Sequence, residues 1–178
     1  MPLVFLSLGS NQGDRLHALA LATREVSEKA GKAVGYSSIY ETEPWGFKAD
    51  QHFLNLVISV ETILEPEVLI GELLKVEALM GREREAGGYR SREIDIDILL
   101  YGDRIIENAK LHIPHARMHQ RKFVLEPFVE LAPDAVHPVF GTTARQLLGK
   151  CDDTSHVVLL YEQMKVPSLF EKSLISNT

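Results

Sequence analysis

Residues 92–103 read REIDIDILLYGD. From Ile94 to Ile98 apolar and acidic residues alternate without a break, the period-two pattern of a strand with one face buried. Successive strand side chains point to opposite faces. Asp95 and Asp97 therefore project side by side, about 6–7 Å apart at Cα for a rise of roughly 3.3 Å per residue. Two adjacent carboxylates are costly unless they face water or share a cation. A bare Asp-x-Asp occurs on many solvated strand faces, so the pair alone is weak evidence of a metal site. Basic residues crowd the sequence just before it, however, and Mg²⁺ is commonly held by one or two carboxylates together with substrate phosphates.

Working outward from this strand sets the fold. PLVFLSLGSN (2–11) reads as a strand running into a Gly/Ser/Asn turn, and Asp14 to Ala30 as a helix stopped by Gly31. VGYSSIYETEP (34–44) is a second strand and FLNLVISVET (53–62) a third. Pro66 opens a helix with Leu69, Leu73, Val76 and Met80 on one face, and Gly81 ends it. The order strand, helix, strand, strand, helix, strand is that of the split βαβ unit. It predicts an α+β, ferredoxin-like antiparallel sheet with helices packed mainly on one face. Ile94, Ile96, Ile98 and Leu100 are expected to face those helices, as are Leu54, Leu56, Ile58 and Val60. Asp95 and Asp97 then share the opposite face with Phe53 and Asn55 if these strands are neighbours.

Beyond the strand, 104–114 suggests a short hairpin or connector. QRKFVLEPFVEL (120–131) suggests a helix interrupted by Pro127, and TTARQLLGK a short helix. HVVLLY (156–161) fits an edge strand or a packed tail, and KSLISNT a frayed terminus. The expectation is a single domain over residues 1–162 followed by a C-terminal tail, 163–178.

The 178 residues suit one domain with its own core. No run of about 18 apolar residues suggests a membrane span, and the N-terminus lacks a signal-peptide pattern. Cys151 is the one cysteine, so no intrachain disulfide forms; a buried structural thiol in a cytoplasmic protein is expected. A net charge of −6 argues against nucleic-acid binding by the whole surface. Yet residues 81–122 hold nine of the nineteen Lys and Arg residues, together with seven acids. Such a mixture suits a small polyanion held with metal ions. SLGSNQGDR (7–15) lacks the GK[ST] ending of a phosphate loop, which favours a tight turn with ordinary helix capping. Arg82, Arg84 and Arg92 read by themselves as solvated loop charges, His115 as a packed or capping residue, and Phe53 and Phe123 as core.

Three segments, taken together, change these readings. YETEPWGFKADQHFLNLV, GREREAGGYRSREIDIDILLYGD and LHIPHARMHQRKFVLEPFVELAPD stand in this order and spacing. They closely resemble the 6-hydroxymethyl-7,8-dihydropterin pyrophosphokinase family of folate biosynthesis, from about residue 3 to residue 140, and SLGSNQGDR agrees. The resemblance implies a monomer that transfers diphosphate from ATP to 6-hydroxymethyl-7,8-dihydropterin, with two Mg²⁺ ions held by Asp95 and Asp97. It implies that Phe53 and Phe123 sandwich the pterin, and that Asn55, Thr42 and the Trp45-Gly46 backbone read its edge. Glu77, Arg82, Arg84, Arg92, His115 and Arg121 become nucleotide and phosphate contacts, with Arg82 and Arg92 assisting catalysis. The chain departs from the family at Tyr89-Arg90-Ser91-Arg92, where Trp-Gly-Pro-Arg is common, and at Lys110, His112 and Ala116. Two rivals remain: a nucleotide-binding regulatory module without catalysis, and a metal-dependent nuclease.

Overall fold

The computed structural model describes residues 1–44, 51–81 and 93–176. Strand β1 (Leu3–Ser10) leads to α1 (Arg15–Lys29), β2 (Lys32–Tyr36), β3 (Ile39–Thr42), β4 (Phe53–Glu61), α2 (Pro66–Leu79) and β5 (Asp95–Tyr101). There follow β6 (Ile106–Glu107), β7 (His112–Ile113), α3 (Lys122–Leu131), β8 (Val136–His137), β9 (Thr142–Thr143), α4 (Ala144–Gly149), β10 (Val157–Tyr161) and α5 (Val166–Ser176). The main sheet runs β10-β3-β4-β1-β5, with β2 also paired to β4. Its pairings among the described residues are antiparallel. Taking β2 and β3 as one interrupted strand, this is the ferredoxin-like α+β order expected, extended at one edge by β10.

Local chemistry explains the elements. Asp14 caps α1 by accepting from the His17 amide at 3.0 Å. Gly31, at φ +143°, turns the chain where a Cβ would lie 2.5 Å from the Glu61 carbonyl. No residue with a side chain fits so close to β4. Pro66 occupies the first turn of α2, where its missing N–H costs nothing. Leu69, Leu73 and Val76 on α2 and Leu19, Ala22 and Val26 on α1 are buried against Leu6, Leu8, Leu56, Ile58, Ile96 and Ile98. Each such Leu, Ile or Val contributes about 1.5–3 kcal/mol when fully buried.

The other face is covered at one end only by apolar packing. Val124 and Phe128 of α3 join Phe5, Val57, Leu99 and Leu100 there, and Phe5 meets Phe128 edge to face at 5.1 Å. Toward the other end Asp95, Asp97 and Phe53 stay partly exposed.

Several expectations change. Leu100 lies on the α3 face, because the register shifts between Phe5 and Leu6 and leaves Leu99 as the extra residue. A bulge of this kind reverses the alternation beyond it. Tyr101 thereby returns to the first face, its hydroxyl donating to the Leu64 carbonyl at 2.7 Å. The single strand expected over 34–44 is broken at Ser37-Ser38. The Ser37 hydroxyl accepts from the Val57 amide at 3.0 Å, and the Glu130 carboxylate accepts from the Ser38 amide and hydroxyl at 2.7 and 2.6 Å. Side chains thus take over part of the ladder there, while the Ser37 amide still donates to the Val57 carbonyl at 2.8 Å. Pro127 does not interrupt α3; it is buried on the packed face, although it offers no N–H to the Phe123 carbonyl. Residues 172–176, the described part of KSLISNT, do not fray. They belong to α5, whose Val166 and Phe170 are buried in the first-face core. Phe170 meets Tyr36 edge to face at 6.3 Å. Cys151 is half-buried rather than buried. HVVLLY forms the edge strand β10, and 104–114 contains the hairpin β6–β7.

Candidate active site

Strand register builds the site. Asp95 and Asp97 share the face opposite Ile96 and Ile98, as their alternation requires, and pair with Gly9 and Ser7 of β1. Asn55 and Phe53 lie on the same face of β4; the condition that β4 and β5 be neighbours is not met, since β1 runs between them, yet the shared face holds through the register of β1. Gly9 is the register partner of both Asn55 and Asp95. Having no side chain, it leaves a trough between the amide and the carboxylate. Two strand spacings make that trough about 9–10 Å across at the backbone. Gly9 was read as part of a turn, yet it stands inside β1. An isolated glycine in a strand pattern signals a close approach, and that signal was present.

Asn55 and Thr42 are both buried, and the Asn55 Nδ2 donates to the Thr42 Oγ1 at 2.8 Å. This bond fixes the amide orientation and turns Oδ1 toward Gly9, 3.5 Å from where a Cβ would stand. The trough wall therefore presents an acceptor from Asn55 and a hydroxyl proton from Thr42. Phe53 lies beside them, its Cδ1 3.7 Å from the same point. Phe123, the second residue of α3, is partly buried and packs against the second core cluster. The Arg121 guanidinium stands 5.8 Å from its ring centroid. Arg121 itself is buried, just before α3 begins.

His115 reaches the acidic pair from the segment after β7. Its amide donates to the Leu99 carbonyl at 2.9 Å, tying that segment to β5. Its Nε2 lies 3.8 Å from the Asp97 Oδ2, beyond hydrogen-bond reach. Its Nδ1 accepts from the Arg117 amide at 3.2 Å, which assigns the ring proton to Nε2. Burial, aided by the Arg121 charge and opposed by Asp95, pushes the imidazole down to about 4. At neutral pH His115 is thus a neutral ring with its Nε2 toward Asp97, and the two do not form an ion pair with each other. Beside it a cleft of about 170 Å³ is lined by Ile106, His112, Pro114, His119, His137 and Phe140.

Glu77 is buried at the end of α2, where its Oε1 accepts from the Ile96 amide at 2.8 Å. It covers an edge amide of β5 between the two aspartates. The structure thus brings Thr42, Phe53, Asn55, Asp95, Asp97 and His115 to one end of one sheet face, with Phe123 on the adjoining helix and Arg121 at its cap position. Trp45, Gly46, Arg82, Arg84, Arg92 and Tyr89 lie outside the described residues. Among the described residues no helix is long and apolar enough to cross a membrane.

The fold and this polar trough define an α+β domain whose site lies on a partly covered sheet face. A family model described as 7,8-dihydro-6-hydroxymethylpterin-pyrophosphokinase matches residues 5–133. The chain is 39% identical over 140 residues to the 2-amino-4-hydroxy-6-hydroxymethyldihydropteridine pyrophosphokinase of Aquifex aeolicus, covering 79% of this chain and 86% of that one. To the protein of the same name from Porphyromonas gingivalis it is 39% identical over 141 residues, 78% of this chain and 95% of that one. Among solved structures, wild-type Plasmodium falciparum HPPK-DHPS with pteroate aligns with a TM-score of 0.68 at 20% identity, over 84% of this chain. This chain spans 42% of that longer one, and the likeness speaks to the fold alone. The chain belongs to the 7,8-dihydro-6-hydroxymethylpterin-pyrophosphokinase family.

Proposed function

We propose that the chain transfers the diphosphate of ATP to the hydroxymethyl group of 6-hydroxymethyl-7,8-dihydropterin, releasing AMP. The observation that carries this reading is the trough over Gly9, with an aromatic and amide wall on one side and two carboxylates on the other. The pterin lies against the Asn55 side, where Thr42 and Asn55 meet its donor and acceptor edge and Phe53 and Phe123 supply apolar faces. The triphosphate lies against the Asp95 side. The hydroxymethyl oxygen attacks the β-phosphorus, and the bond from that phosphorus to the α–β bridging oxygen breaks. AMP leaves with that oxygen, and the hydroxyl proton passes to solvent.

The donor set fits Mg²⁺. Among the described residues no group of three or more His, Cys, Asp and Glu is placed to hold a metal. Two carboxylates completed by phosphate oxygens are the arrangement Mg²⁺ favours. Asp95 and Asp97 would hold two such ions, which when bound neutralise and orient the triphosphate. His115 donates from Nε2 to a phosphate oxygen as a neutral ring. Arg121 adds fixed positive charge beside it, and Glu77 keeps β5 in register so that both aspartates face the trough. Arg82, Arg84 and Arg92 complete the phosphate contacts, and Trp45 and Gly46 the pterin contacts, on the strength of family resemblance. Residues 1–162 act as one monomeric cytoplasmic unit that needs neither nucleic acid nor membrane, and the tail that follows contributes Val166 and Phe170 of α5 to the same core.

The test is AMP formation from ATP and Mg²⁺ with and without the pterin. AMP that depends on the pterin supports the reading. ATP binding without AMP identifies a regulatory module, and cleavage of oligonucleotides without pterin identifies a nuclease.

A further inference from the structure

Arg15 is the first residue of α1. A cation there opposes the positive end of the helix dipole, and no acidic residue stands in that first turn. Its side chain is committed elsewhere. A single nitrogen, Nη1, donates to the Glu41 Oε1 at 2.7 Å and to the His52 carbonyl at 2.8 Å. Glu41 and His52 immediately precede Thr42 and Phe53, and those two residues are register partners in the last pair of the β3–β4 ladder. Glu41 pairs with Leu54, whose side chain is in the first-face core, so Arg15 grips the sheet from the face opposite the trough. The ion pair is three-quarters buried, its side chains 25% and 29% exposed.

From this geometry we infer that Arg15 is a positioning residue for the pterin side of the site. It straddles the Thr42–Phe53 pair and holds the ends of β3 and β4 together where the ladder stops. Thr42 in turn holds the Asn55 amide at 2.8 Å, so any parting of the two strands turns the Asn55 acceptor away from the trough. β5, with Asp95 and Asp97, lies on the far side of β1 and is untouched by the clamp. The inference rests on the reading of the trough as a pterin site. It adds that one arginine, on a helix behind the sheet, sets pterin affinity without touching the ligand.

Calorimetry on the full chain tests it, with 6-hydroxymethyl-7,8-dihydropterin titrated in the presence of Mg²⁺ and a non-hydrolysable ATP analogue. Arg15→Met removes both charge-assisted bonds and should weaken pterin binding roughly fivefold or more. Affinity for the analogue should stay within about twofold, because its carboxylates lie on β5. Glu41→Gln keeps an acceptor and should lose less. Arg15→Met combined with Glu41→Gln should be no worse than Arg15→Met alone. Steady-state kinetics should show KM for pterin rising while KM for ATP holds. Equal losses for both ligands, or wild-type pterin affinity in Arg15→Met, overturn the positioning role alone. Failure of the wild-type protein to bind pterin overturns the reading on which the role rests.

Discussion

Asn55 and Asp95 face each other across Gly9, each a register partner of that one glycine on strands either side of β1. The space between an amide and a carboxylate is thereby defined by an absent side chain. A methyl at Gly9 would meet Asn55 Oδ1 at 3.5 Å and Phe53 Cδ1 at 3.7 Å, ordinary contacts. Gly9→Ala is expected to fold and to retain measurable turnover. Gly9→Val adds two further carbons to the trough while improving strand propensity. Its melting temperature should stay near wild type, while pterin affinity falls more than tenfold, at 1.4 kcal/mol per decade. Thermal melts beside calorimetry check this. A large fall in melting temperature with equal loss of both ligands would place the role of Gly9 in folding.

Asp95 and Asp97 stand on the face away from the aliphatic core, each flanked by buried isoleucines. Replacing either with Ala is expected to abolish AMP formation and leave the circular-dichroism spectrum unchanged. The assay is pterin-dependent AMP release across a range of Mg²⁺ concentrations. Near-normal turnover in either variant at ordinary Mg²⁺ would remove that carboxylate from the metal site.

Phe123 packs against the second core cluster and lies near the Arg121 guanidinium. A flat heteroaromatic ring against a phenyl face gains roughly 1–3 kcal/mol, by analogy with base stacking. Phe123→Ala should weaken pterin binding about tenfold or more and ATP binding far less. Calorimetry giving equal losses for both ligands would assign Phe123 to the core alone.

The legible parts of the sequence were those carried by period. The alternation at 94–98 fixed which face holds Asp95 and Asp97, and the three-four spacing from Leu69 to Val76 fixed the buried side of α2. The parts that escaped depend on long-range partners. No local pattern shows that Leu99 is an extra residue opposite β1, so Leu100 was assigned to the wrong face. The break at Ser37-Ser38 is stabilised by Glu130, some ninety residues away. Helix α5 exists because Val166 and Phe170 find the first-face core, which a polar-looking tail does not advertise. Of the candidate site, the residues gathered at one end of the sheet face were named through family resemblance. Arg15 was not, since it acts from behind the sheet, and Gly9 showed only as an isolated glycine after a strand pattern, which reads equally as a turn.

Asp153 caps α3 from beyond its far end. Its Oδ2 accepts from the Lys122 amide and its Oδ1 from the Ser155 amide, both at 2.9 Å. Arg121, at the cap position itself, makes no side-chain cap bond, so Asp153 supplies the negative charge that a helix N-terminus favours. Burial works to raise its pKa, but the two amide bonds and the Lys122 charge outweigh that and hold it below the ordinary 3.8. A carboxylate whose folded pKa lies below its unfolded one stabilises fully above the unfolded value. That stabilisation is lost as pH falls through the depressed folded value. Asp153→Ala should therefore destabilise by about 1 kcal/mol at pH 7, the usual worth of a cap. The gap to wild type should narrow as pH falls below the ordinary 3.8 and close once the depressed folded value is passed, where both proteins lack the charge. Asp153→Asn keeps the acceptor and should lose less, with a flatter acid limb. Because Phe123 is the second residue of α3, Asp153→Ala should also raise KM for pterin more than KM for ATP. Urea titrations from pH 2.5 to 7 decide the matter: a destabilisation that stays constant across that range would show that the carboxylate charge is not what holds the helix end.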